Sequence, residues 1–167
     1  MAASFDHFPA AVEFVLRNEG GFVDDPKDRG GVTNMGISSR HNPDVDVRSL
    51  SRDQAIELYR QRYWIRYRLN EIENQHVAIK VFDLTVWMGP SVAASILQLA
   101  INAAAGRTLV TVDGIIGSQT LTALRQVDPS SVVAVMRALA LGRVHQIIQR
   151  DPSQERFRRG WERRALL

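Results

Sequence analysis

The chain has 167 residues, 45% hydrophobic and 23% charged, with 11 Gly, 6 Pro and no Cys; that length suits one domain with a sizeable core, and that composition excludes intrinsic disorder. The missing cysteine excludes a disulfide scaffold, a thiol nucleophile and Cys-ligated metal, no uninterrupted apolar run approaches the roughly 18 residues of a membrane span, and the start has no visible secretory signal. Charge is uneven: 11 basic against 13 acidic side chains over residues 1–100, but 10 against 5 over 101–167, which suits either a polyanionic partner or a solvated helical face.

In chain order, a helix is predicted from about Pro9 to Asn18, with Phe8, Val12, Val15 and Leu16 at helical spacing and a stop at Gly20-Gly21. Residues 20–48 have no helical period; their glycines and prolines imply loops, with a short hairpin around Gly31–Ser38. Ser51-Arg52-Asp53-Gln54 is a capping box that opens a helix to about Tyr67. A further helix covers about Asn74–Met88, and after Gly89-Pro90 comes one to Ala105 that is apolar on nearly all sides, as the centre of a small bundle requires. Thr108–Val112 reads as a short extended piece before an Asp113-Gly114 turn, and Ser118 as the cap of a short helix through Leu124. Asp128-Pro129 and Asp151-Pro152 each place a capping acid before proline, so they begin helices at about 129–150 and 152–165. The fold class is mainly α: a helical bundle with a glycine-rich loop or short hairpin after its first helix.

The chain has no phosphate-binding glycine loop, no nucleophile elbow and no pair of His at ligand spacing, so hydrolytic chemistry falls to carboxylates and no metal or other cofactor is expected. Asp44-Val45-Asp46 resembles the start of a calcium loop but lacks its glycine and glutamate, and reads as a polar turn. Glu19 is the last side chain before the double glycine, fixed on a rigid helix with open space ahead. Asp28 lies in a glycine-lined loop able to fold back over it, and Thr33 follows within reach to help hold a water. Two carboxylates across a cleft are the minimum for glycosidic cleavage; a capped helix followed by a polar loop is the plainer alternative. Asp83, in an otherwise apolar helix, is either a hydrogen-bond hub or a cleft residue. Tyr63 and Trp64 are candidates for stacking on sugar rings, with core packing the alternative for one of them. Phe157, Trp161 and Ala165, spaced by four, form the packing face of the last helix, leaving Arg156, Arg158, Arg159, Arg163 and Arg164 to solvent.

E-G-G-F from Glu19, then D-x-G-G-x-T from Asp28, then G-I-S from Gly36 resembles the motif of the glycoside hydrolase family 108 N-acetylmuramidases, found in phage-type endolysins and secretion-associated lysozymes. L-Y-R-Q-R-Y-W from Leu58, F-D-L-T-V-W-M-G-P from Phe82 followed by Leu97-Gln98, and the Asp113–Thr120 segment extend the resemblance over about residues 10–165. The resemblance implies a lysozyme-like helical domain over 1–167, with a catalytic portion at about 10–105 and a peptidoglycan-binding portion at about 106–167 packed on it. It implies cleavage of the β-1,4 bond after N-acetylmuramic acid, with Glu19 as general acid and Asp28 and Thr33 beside it. Gly20, Gly21, Gly30, Gly31, Tyr63, Trp64, Asp83 and Trp87 are the implied substrate contacts. Trp87 stands where the family pattern has Asn, which exchanges a hydrogen bond for stacking or alters specificity. Peptidoglycan is the expected partner, with no nucleic acid and no stable membrane insertion. A chain made in the cytoplasm would then reach the periplasmic wall through a holin-like pore or a secretion system. The competing readings are a non-catalytic peptidoglycan-binding or secretion-accessory protein on the same fold and, from the basic second part, a nucleic-acid-binding helical protein.

Overall fold

A computed structural model describes residues 5–19, 22 and 32–167. Helix α1 (Phe8–Asn18) buries Phe8, Ala11, Val12 and Val15, and Pro9 stands in its first turn, where a missing N–H costs nothing. A two-residue hairpin follows, β1 (Thr33–Asn34) against β2 (Ile37–Ser38), antiparallel with Asn34 opposite Ile37. Its turn residues Met35 and Gly36 have φ of 50° and 76°, the two positive values that a tight hairpin with native strand twist demands. Asn34 Nδ2 donates to the Val47 and Leu50 carbonyls and ties the hairpin to the following 3₁₀ turn.

Helix α2 (Arg52–Tyr59) opens on the expected capping box, with Ser51 and Gln54 each accepting from the other's backbone N–H. The predicted continuation to Tyr67 is different in kind: residues Arg60–Ile65 form a π-helix, and a 3₁₀ turn at Leu69–Glu71 ends the segment. Helix α3 (Gln75–Met88), capped by Asn74, and helix α4 (Pro90–Ala105), which ends at Gly106 in the left-handed conformation, pack against each other. Thr108–Val112 is not a strand. Asn102 holds that stretch instead, accepting from the Leu109 and Val110 N–H groups and donating to the Val110 carbonyl.

Helix α5 (Ser118–Leu124) starts after Gly117 without a side-chain cap, so Ser118 is its first residue and not its cap. Helix α6 (Pro129–Arg150) is capped by Asp128, and the predicted final helix divides into a 3₁₀ segment (Pro152–Phe157) and α7 (Arg158–Leu166). Of the described helices, α6 alone is long and apolar enough by composition to cross a membrane. Its apolar side here covers α4, α7 and α3. The buried residues of α1, α3, α4 and α6 form one contiguous cluster, as a bundle built from amphipathic helices around a largely apolar α4 should.

Candidate active site

Glu19 ends α1 as its C-terminal cap, with extended backbone, and its own N–H still donates to the Val15 carbonyl. The helix therefore fixes where the side chain begins. The carboxylate is mostly buried, 17% exposed, and Oε1 accepts from Arg164 Nη2 at 2.6 Å. On its other side the hairpin turn closes in. A Cβ at Gly36 would lie 2.7 Å from both Cγ and Oε2 of Glu19 and 2.6 Å from the Tyr59 hydroxyl, so only glycine fits there. Tyr59, itself buried, donates to the Met35 carbonyl at 2.9 Å and holds this turn in place. Burial foremost, with the Glu19 charge second, pushes the Tyr59 phenol far above its ordinary range, so it stays a neutral donor.

Beside this pair runs a groove of about 700 Å³, walled by the aromatic rings of Tyr63, Tyr67 and Trp87 and by the polar groups of His41, Asn42, Asp44, Arg62 and Arg66. Trp87 links the groove to the carboxylate, since the Arg164 guanidinium lies 5.2 Å from its ring centroid. Arg62 is fixed by Asp44 and donates to Asn42 Oδ1 at 2.6 Å. Asp44 is thus an ion-pair partner, held below the ordinary aspartate range chiefly by the Arg62 hydrogen bond, while Asp46 caps the 3₁₀ turn. Past Arg66, Tyr67, Thr85 and Pro90 a smaller recess of about 290 Å³ continues to Gly114, Ile115 and Ile116. That turn is stapled by buried Gln98, whose Oε1 accepts from the Asp113 and Gly114 N–H groups and whose Nε2 donates to Asp113 Oδ1 and the Ile115 carbonyl.

The sequence-predicted residues divide accordingly. Tyr63 and Trp87 line the groove. Trp64 does not: it is 2% exposed and packs edge-on against Phe82 and tilted against Phe8, so of the two neighbouring aromatics it is the core member. Asp83 is 0% exposed and is a hub, its Oδ1 accepting from Arg164 Nε at 2.9 Å and its Oδ2 lying 3.7 Å from Lys80 Nζ. Burial pushes the Asp83 carboxyl up against the opposing pull of both cations, and pushes the Lys80 ammonium down. Thr33 sits on β1 opposite Ser38, and the hairpin residue that meets Glu19 is Gly36. Asp28, Gly20, Gly21, Gly30 and Gly31 lie outside the described residues. Arg164 corrects the expectation that the arginines of the last helix face solvent: its side chain is 13% exposed and reaches both Glu19 and Asp83. Spacing alone does not single it out, because Arg158 and Arg164 both stand three residues from Trp161.

A helical bundle with a half-sheltered glutamate at a helix end, beside an aromatic-walled polar groove, defines a lysozyme-like fold with a carboxylate site. Residues 12–89 match the family model Glycosyl hydrolase 108, and residues 92–166 match the Predicted Peptidoglycan domain. The two matches follow one another along the chain and support a glycoside hydrolase with a peptidoglycan domain as its second half. Among solved structures it is similar to SagA of Brucella abortus, at 29% identity and a TM-score of 0.75, over 95% of this chain and 88% of that one. No curated protein matches it.

Proposed function

We propose that the chain is an N-acetylmuramidase that cleaves the β-1,4 bond between N-acetylmuramic acid and N-acetylglucosamine, with Glu19 as general acid. The observation that carries this reading is Glu19 itself, clamped between Gly36 and Arg164 beside an aromatic-walled groove. The rings of Tyr63 and Trp87 suit the apolar faces of pyranose rings, and Asn42, His41 and Arg66 suit their hydroxyl, amide and carboxylate substituents. In the step, the Glu19 proton passes to the glycosidic oxygen as its bond to C1 breaks. A water oxygen adds to C1 and its proton passes to a second carboxylate, for which the sequence nominates Asp28. The domain reading goes with it: one domain over 1–167, the second portion packed on the first and holding wall polymer. The site of action is the cell wall.

Glu19→Gln keeps the shape but carries no acidic proton. Lysis of purified peptidoglycan by this variant should fall on the order of 10²–10⁴-fold or more, with the melting curve retained. Mass analysis of wild-type products should find N-acetylmuramic acid at the reducing ends. Wild-type-like lysis by Glu19→Gln moves the acid elsewhere, and lysis by neither protein makes the chain a binding protein on this fold.

A further inference from the structure

We propose that Arg164 is a positioning residue for Glu19, so that the second half of the chain completes the active site as well as binding the wall. This rests on the reading of Glu19 as the acid. The two residues are 145 positions apart, and Arg164 falls within the half matched by the peptidoglycan domain.

Three restraints fix the guanidinium. Nη2 donates to Glu19 Oε1 at 2.6 Å, Nε donates to Asp83 Oδ1 at 2.9 Å, and the plane lies over Trp87. One planar fork therefore spans two carboxylates, which the single point charge of a lysine cannot do. The helix that carries it is held from the same side: Lys80 Nζ donates to the carbonyls of Arg164 and Ala165 at 3.1 and 3.0 Å. Lys80 and Asp83 stand one turn apart on α3, so a single helix grips both the backbone and the side chain of Arg164. Glu19 stands at the C-terminal cap of α1, and the hydrogen bond its Oε1 accepts comes from Arg164. With Gly36 against Oε2 and Arg164 on Oε1, the carboxylate is held from two sides, and the Trp87 ring under the same guanidinium is a wall of the groove. An acid misaimed by about 1 Å loses on the order of 100-fold in rate.

The test is steady-state turnover on soluble glycan strands by Arg164→Gln, Arg164→Lys, Glu19→Gln and the double variant Arg164→Gln with Asp83→Asn, each also melted thermally. Arg164→Gln should lower kcat about 10- to 100-fold while leaving KM within about threefold, since Arg164 is not itself among the residues that line the groove. Arg164→Lys should recover part of the loss. The double variant also removes the buried carboxylate whose guanidinium Arg164→Gln takes away, leaving Lys80 on the carbonyls of residues 164 and 165, so it should melt closer to wild type yet stay slow. Recovery of kcat together with stability in the double variant would mean that Arg164 serves the fold alone and would overturn the proposal. Normal kcat in Arg164→Gln beside an inert Glu19→Gln would also overturn it, with Glu19 left standing as the acid. A fully active Glu19→Gln would remove the underlying reading instead.

Discussion

A methyl group at Gly36 would press on Glu19 and on the Tyr59 hydroxyl, and neither neighbour has room to give way. Tyr59 is buried and committed to the Met35 carbonyl, and Glu19 is held on its far side by Arg164. Gly36→Ala also places an L side chain at φ 76°, a left-handed conformation that costs about 1–2 kcal/mol by itself. The expected outcome is a loss of about that size in urea-unfolding stability and a fall in kcat on the order of tenfold or more, as the carboxylate is pushed off line. A variant with reduced stability and unchanged kcat would show that the hairpin turn does not aim Glu19. Glycine at this position was present in the sequence as part of a motif, but its reason is steric and lies in two side chains distant in the chain.

At the scale of elements, local signals were legible and long-range ones were not. Ser51, Asp128 and Asp151 cap as their sequences predict, because a cap involves only the next two or three residues. The π-helix at Arg60–Ile65 was hidden, since Tyr59 and Tyr63 keep the i, i+4 spacing of an ordinary helix, with ring centroids 5.6 Å apart. Arg164 was hidden by the arginines around it, which read as a solvated face. Asp128 offers a test of the caps. Its Oδ2 accepts from the Ser131 N–H and hydroxyl, both at 2.8 Å, and the backbone bond foremost holds its carboxyl below the ordinary aspartate range. A carboxyl lowered on folding stabilises the fold above its unfolded value, and that contribution is lost as pH falls through the folded one. Asp128→Ala should therefore melt below wild type near neutral pH. The gap should narrow as pH falls below the ordinary aspartate range, which thermal melts across acid pH would show.

For the whole molecule, the proposed function and the proposed role of Arg164 give the basic second half two jobs with different residues. Arg158 is engaged by Glu155 and Glu162, Arg156 lies over Phe157, and Arg164 is turned inward, whereas Arg159 and Arg163 are exposed. Replacing Arg159 and Arg163 with Gln should weaken co-sedimentation with whole sacculi and flatten the salt dependence of lysis, because screened attraction to an anionic wall is what they contribute. Turnover of a short soluble muropeptide should be unchanged, and an equal loss on both substrates would place these arginines in the fold or the groove. Helix α7 itself buries only Ala165 fully, packs a partly buried Trp161 on the core, and is also moored by polar contacts: Lys80 to the Arg164 and Ala165 carbonyls, Arg137 to the Leu167 carbonyl, His145 to Glu162. An element moored this way opens at a lower free energy than the apolar centre. With α7 lifted away, the remaining helices would stay intact while Glu19 lost its guanidinium. Heat should therefore silence the enzyme before it unfolds it: the midpoint of reversible activity loss falls below that of the helical circular dichroism signal, and amide exchange in α7 outpaces that in α3 and α4. A coincident loss of activity and helix would show instead that α7 opens only with the rest.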